Sequence, residues 1–308
     1  MTATPAEQSG ASLHALLDRL TPAAAKIDAY ADDTYVQEAV DQLERLGIDP
    51  VAFARQHSLL LLKPDAIVAR AVEPTLQWLP ARGFRVVAAH RMRVNRHLVR
   101  ALWYFAWNIA SPERRRLADL LVDISDVLVL IVHGADDALP VPIRLTEAKG
   151  ATDPRKRNPG ELRYVLGRHN FLLNLVHSPD DPADVLRELA IYFDEDTRAD
   201  LLAQVTAGLD RTAAVSALAA DLYARVPARS FDRDDALRTV LADLRRAGID
   251  AGEDADGARL LYSAWAADAE LDPWSVLVLG SYVLPMRVGT RSQTLPPVAA
   301  REWLEGRS

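Results

Sequence analysis

Cysteine is absent from the 308 residues, which removes disulfides, thiol nucleophiles and cysteine metal sites and leaves the redox compartment undetermined. Lysine is scarce too: against a background of arginine it stands only at positions 26, 63, 149 and 156. A lysine at a strand end is therefore less readily filler. No apolar run approaches the roughly 20 residues of a membrane helix, and Met1–Gly10 lacks the basic-then-apolar order of a secretory signal. A soluble, cytoplasmic protein without a membrane partner is expected. Neither G-x-x-x-x-G-K-[ST] nor G-x-G-x-x-G occurs, which argues against P-loop and Rossmann nucleotide sites. Net charge is −7 with a pI near 5.5, so nucleic acid is not an expected partner, and any anion site must be built locally. His57, His90, His97, His133 and His169 show no H-x-x-x-H or carboxylate spacing, so no protein-held metal is expected and each reads as structural or solvated. His14 belongs to a helical lead-in.

What is present suffices for one large or two modest domains, at 49% hydrophobic and 26% charged. From Ser12 to about Gln56 the spacing is helical, with stripes Leu13-Leu16-Leu17-Leu20 and Val36-Val40-Leu43-Leu46 and Gly47 as a stop. Texture changes at Ser58. An apolar run to Leu62 predicts a strand, Ile67 to Leu79 an amphipathic helix ended by Gly83, and Phe84 to Val94 a second strand. Helical signals at Leu98–Phe105 and Pro112–Val122 precede a buried strand at Val127–Val132. Asp123, Asp126, Asp136 and Asp137 flank it as turn caps. A polar stretch from Glu147 to Arg168 follows, then a strand at Phe171–Val176 and a helix at Pro182–Phe193.

The order β-α-β-α-α-β-loop-β-α predicts an α+β fold, a ferredoxin-like core with helices packed on an antiparallel or mixed sheet. Beyond Asp194 strand signals nearly vanish. Three or more helices predict an all-α C-terminal region, with Ser230-Phe231-Asp232 as linker and cap and breaks at Val226-Pro227 and Leu295-Pro296-Pro297. Expected boundaries are 1–57 for an N-terminal helical extension, 58–193 for the core and 194–308 for the C-terminal domain. Leu43–Asp49 and Leu244–Asp250 look alike and read as a recurrent helix C-cap.

Chemistry concentrates at strand ends. Asn174-Leu175-Val176-His177 closes an apolar run just before a helix start at Ser178-Pro179-Asp180-Asp181-Pro182. An imidazole at that junction is a candidate for phosphate chemistry, because helix N-termini favour anions. Lys63-Pro64-Asp65 follows the first strand directly. Between them, Lys149 to Arg163 packs further Lys and Arg, a Thr hydroxyl and two Gly into one loop, which either wraps a polyphosphate or is a solvated surface loop.

Together, Lys63-Pro64-Asp65, Gly83-Phe84-Arg85-Val86-Val87-Ala88, Gly150-Ala151-Thr152-Asp153-Pro154, Pro159-Gly160-Glu161-Leu162-Arg163, Asn174-Leu175-Val176-His177, Glu188 and Tyr192-Phe193 resemble, in order, a nucleoside diphosphate kinase domain over about Ser58–Phe193. The resemblance implies a ferredoxin-like kinase-type core and ping-pong phosphotransfer. His177 would take the γ-phosphoryl group of a nucleoside triphosphate as phosphohistidine and pass it to a nucleoside diphosphate, with Mg²⁺ bridging phosphate oxygens. Glu188 would hold the other ring nitrogen. Lys63 and Asn174 would lie near the sugar hydroxyl, Lys63 also near the transferred phosphate, and Arg144, Thr152 and Arg163 along the phosphates. Members of the family commonly form hexamers or tetramers, so a homo-oligomer is among the expected partners.

This chain departs from the family at Pro179, where a serine is usual, which removes a hydrogen bond supporting the histidine and its carboxylate. Relative to the family, two residues are inserted between Arg144 and Thr152 and one between Arg163 and Asn174. Trp103-Tyr104-Phe105-Ala106-Trp107 stands where the family has its base-stacking aromatics, although such clusters are more often core. Two expectations follow: a phosphotransferase whose acceptor is altered by the helical extensions, or a weakly active or non-catalytic nucleotide-binding or assembly protein of the same fold.

Overall fold

The computed structural model describes residues 13–135, 138–167, 170–250 and 256–306; Met1–Gly10, Asp136, Asp137 and His169, discussed above, lie outside them. Four strands, β1 (His57–Leu62), β2 (Phe84–Met92), β3 (Val127–Gly134) and β4 (Val176–His177), form one sheet in the order β2-β3-β1-β4 with every neighbouring pair antiparallel. That is the ferredoxin-like order. An extra residue in β2, Val87, shifts its register against β3 between Val86 and Ala88.

β1 is buried along its whole length because both faces of the sheet are covered, which is why its sequence is a continuous apolar run instead of an alternation. Leu60, Leu62, Leu128, Leu130 and Val132 point into one core with Val72, Leu76, Val141 and Leu145 from the two crossover helices. Leu59, Leu61, Val129 and Ile131 point into the other core, with Val99, Leu102, Val185, Leu186 and Leu189. Packing does not stop at Phe193. Leu201 and Leu202 of helix Glu195–Ala207 join the second of these cores, and Val215, Ala219 and Leu222 of helix Thr212–Arg225 join the first. A third core holds helices Arg233–Arg246, Gly257–Ala266 and Pro273–Val283 against Leu117 and Leu121 of helix Pro112–Val122 and against Leu172 and Leu173. Among the described residues no helix is long and apolar enough to cross a membrane.

Two elements differ from expectation. The polar connection after β3 contains a helix, Val141–Lys149, followed by a short one at Leu162–Val165. The expected strand at Phe171–Val176 is reduced to Val176–His177, because side chains take its backbone bonds: Lys63 Nζ donates to Leu172 O (2.9 Å), and Asp65 Oδ2 accepts from Leu175 N–H (2.9 Å). Leu175 O still accepts the Lys63 backbone N–H (2.9 Å), but what Leu172, Leu173 and Leu175 have in common is burial. The repeated Leu43–Asp49 and Leu244–Asp250 segments do end helices alike. Gly47 and Gly248 take φ near +70°, and Ile48 and Ile249 N–H groups reach back to Leu43 and Leu244 carbonyls at 2.9 and 3.0 Å.

The N-terminal extension is tied to helix Pro182–Tyr192 by buried charge. Lys26 Nζ donates to Asp181 (2.9 Å) and Asp184 (2.8 Å), Thr21 hydroxyl to Asp181 (2.7 Å) and Tyr30 hydroxyl to Asp184 (2.6 Å). Burial works against the Lys26 ammonium, but Asp181 and Asp184 outweigh it and hold its pKa above the usual lysine range. Removing the cation strands two buried carboxylates, so Lys26→Met is expected to cost about 3–5 kcal/mol in urea unfolding, whereas a change at the exposed Arg19, Arg19→Met, should cost under about 1 kcal/mol. A Lys26→Met loss no larger than that of Arg19→Met would remove this anchor from the account.

Candidate functional site

β4 pairs with β1 through Leu61↔His177 and Leu62↔Val176, which holds His177 at the sheet's edge. Pro182 then opens a helix capped by Asp181, whose side chain accepts from Asp184 N–H (3.0 Å). Two turns along, Glu188 is 6% exposed. His177 Nε2 lies 2.9 and 3.1 Å from the two Glu188 oxygens. With Glu188 ionised, its oxygens can only accept, and the contact then puts the ring proton on Nε2 and leaves Nδ1 with a lone pair. The imidazole is 18% exposed, with the Trp103 ring edge-on at 5.1 Å.

The loop around His177 is held by cations. Arg163, 5% exposed, donates to Val176 O (2.7 Å), Gly150 O (2.9 Å) and Thr152 Oγ1 (3.2 Å), while its buried Nε has no partner. Lys63 is also buried, and its ammonium bonds Leu172 O and lies 3.4 Å from Asp65. Asn174 Nδ2 donates to Phe171 O (2.9 Å). Gly150, at φ +86°, ends helix Val141–Lys149 where a Cβ would meet Glu161 Oε2 at 2.2 Å. Glu161 uses that space to accept from Asn158 N–H (2.9 Å) and close the basic loop.

Lys63, Arg163, Asn174, His177 and Glu188 are thus drawn to one segment, with Thr152 joined through Arg163. Arg144 is not among them. Its guanidinium donates to Ala135 O (2.8 Å) and lies over the Phe84 ring. Helix Val141–Lys149 is continuous, so Arg144 sits roughly 200° around the axis from Thr146. The helix face toward the histidine loop carries Thr146, whose hydroxyl donates to Pro179 O (2.9 Å), and Lys149.

Lys149 is the residue that sequence reasoning treated only as the start of a basic loop. Its buried ammonium donates to Ser178 Oγ (2.6 Å) and Ser178 O (3.3 Å). Burial, then Arg163, bring its pKa down to about 7, against the pull of Asp180 and Glu188. Burial and then the Lys149 charge lower His177 to about 3, with Arg163 adding to the effect and Asp180 and Asp184 opposing it. Burial pushes Glu188 well up, together with Asp184 and Asp180, while Lys149 and Arg187 pull it back. The imidazole is therefore neutral at ordinary pH. The signal in the sequence was scarcity: a rare lysine standing immediately before the glycine that ends a helix. Trp103 was one of five residues in an aromatic run, and nothing in its spacing singled it out. His57, stacked on Phe53 with its pKa lowered to about 4 mainly by burial, is structural.

Because Lys149 depresses the His177 pKa, Lys149→Met should raise it, by on the order of one unit. The acid midpoint of diethyl pyrocarbonate modification, followed by mass spectrometry on the His177 peptide, should move to higher pH; an unmoved or lower midpoint would exclude this coupling.

The model of the family described as "Nucleoside diphosphate kinase" matches residues 56–198. A nucleoside diphosphate kinase of Heliobacterium modesticaldum is 30% identical over 145 residues, covering 46% of this chain and 89% of the relative. One from Thermococcus kodakarensis is 29% identical over 140 residues, covering 45% and 76%. Among solved structures, a halophilic nucleoside diphosphate kinase from Halobacterium salinarum in complex with CDP aligns with a TM-score of 0.40 at 23% identity, over 46% of this chain and 90% of that one. Through a segment spanning most of the length of such relatives, this chain belongs to the nucleoside diphosphate kinase family.

Proposed function

We propose that this chain is a phosphotransferase that moves the γ-phosphoryl group of a nucleoside triphosphate through His177 to a nucleoside diphosphate or a more specialised acceptor. The observation that carries the reading is the buried Nε2–Glu188 contact, which fixes the tautomer and leaves Nδ1 as nucleophile. The Nδ1 lone pair attacks the γ-phosphorus, and the bond to the bridging oxygen breaks with its electrons leaving on the nucleoside diphosphate. The ring keeps its Nε2 proton and gains positive charge, which Glu188 offsets. An acceptor oxygen then attacks the same phosphorus, and the electron pair of the N–P bond returns to Nδ1.

Lys63, Arg163 and Thr152 would bind the phosphates, with Asn174 on the sugar hydroxyl. Arg144 has no part in this reading. Mg²⁺ would come on the phosphate oxygens, whose charge it would neutralise during transfer. Among the described residues Glu188 has His177 and no hydroxyl as its hydrogen-bond partner; where Pro179 lacks the hydroxyl, Lys149 supplies positive charge. Residues 1–57 and 194–308, as regions added to the 58–193 core, would set the acceptor.

With γ-labelled ATP and Mg²⁺, the full chain is expected to acquire an acid-labile, base-stable label on His177. His177→Ala should abolish it, Glu188→Gln should slow it by about 10²-fold or more, and Arg144→Ala should leave it unchanged. Nucleotide binding with no label on the wild-type chain would sink the catalytic reading and leave the binding or assembly role.

A further inference from the structure

We infer that Arg114 and Arg287 form a second anion subsite beside the phosphate-binding loop, one that takes a phosphate group of the bound ligand and makes the C-terminal helical region part of the substrate site. The ligand's chemistry rests on the phosphotransfer reading. The positions rest on packing. Arg114 lies in the first turn of helix Pro112–Val122, with its guanidinium 5.5 Å over the Phe171 ring. The adjacent Leu172 carbonyl receives the Lys63 ammonium, so both cations hold the same stretch of chain from different elements.

Arg287 comes from beyond the last long helix. Its backbone forms an antiparallel bridge with Ala110, Val288 N–H donates to Ile109 O (2.9 Å), and Ser111 hydroxyl donates to Pro285 O. This seam fixes Arg287 next to the start of the helix that carries Arg114.

The charges are not balanced from within. Among the described residues Arg114 has the Phe171 ring but no carboxylate, and Arg287 gives one N–H to the Arg291 carbonyl and pairs with no acid. Burial and then Arg287 lower the Arg114 pKa, and Arg114 adds to the cations that press on Lys63. Arg163 in the same loop keeps a buried Nε with no acceptor. Like charges gathered at a partly desolvated surface repel, and a protein of net charge −7 has many acids to spare for neutralising them. An arriving phosphate relieves that repulsion, with guanidinium groups offering paired donors. A seam that brings a C-terminal arginine to this point has a physical rationale if the arginine meets the ligand.

The test is calorimetric titration of the full chain with inorganic pyrophosphate, in a His177→Ala background so that binding is read without transfer. Arg114→Met and Arg287→Met are each expected to weaken pyrophosphate binding about tenfold or more and to flatten its salt dependence, while Arg291→Met, on the same exposed segment, leaves it unchanged. Arg287→Lys should retain part of the affinity, and melting temperatures of the variants serve as the folding control. Unchanged or tighter binding in both Arg→Met variants would overturn the inference, even if His177 proves to carry phosphate. Conversely, a protein that never labels His177 can still satisfy it. To assign the phosphate to donor or acceptor, Arg287→Met in the otherwise native chain is followed for labelling by ATP and for discharge to ADP. Slower labelling assigns the subsite to the donor, slower discharge alone assigns it to the acceptor, and no change in either step overturns its place in the substrate site.

Discussion

Three carboxylates on one buried helix govern this structure. Asp181 caps Pro182–Tyr192 and Asp184 and Glu188 lie along it, spaced so that the three share a side, and they are at most 13% exposed at the side chain. Buried acids must be paired or neutralised. The first two are met by Lys26, Thr21 and Tyr30 from the N-terminal extension, and the third by His177 from the sheet edge. Docking of the extension and orientation of the imidazole are thus consequences of the same helix. Arg187 adds a further tie, donating to Asp33 (2.8 Å) and to Ala101 O (3.0 Å).

That arrangement explains how a chain with Pro179 two residues after its histidine can keep a neutral, oriented ring. Lys149 contributes charge where a neutral donor is missing, and the distinction matters because charge acts through space on both members of the pair. It lowers the His177 pKa and draws the Glu188 pKa downward. A hydroxyl would have acted on the carboxylate by one hydrogen bond. Ser178 and Thr146 hold the ammonium in position, so a change in helix Val141–Lys149 would be felt at the histidine.

Much of this was legible in the sequence where a residue's position is set locally. Lys63 caps the helix after β1, His177 ends β4, and the helix after it begins with Asp181 and Pro182, so short-range signals located them. Failures arose where tertiary partners decide. The apolar run before His177 looked like a strand, but its backbone bonds go to Lys63 and Asp65, more than a hundred residues away. Arg144 matched a motif by residue type, yet in a continuous helix it bonds Ala135 O, while Thr146 and Lys149 face the histidine loop. The change from strands to helices at Phe193 was visible, whereas the fact that the next two helices complete the sheet's own cores was not. Lys149 needed the third dimension, since its partners come from a different loop.

The central claim is that His177 is held neutral with its proton on Nε2. Imidazole nitrogen NMR of the full chain, with His177 assigned by its substitution, tests this directly across pH 7 to 5. The account predicts a neutral ring with protonated Nε2 and unprotonated Nδ1 throughout, since burial and Lys149 bring its pKa to about 3. A ring protonated on Nδ1, or one that titrates near 6.5 as an unperturbed histidine does, would contradict it.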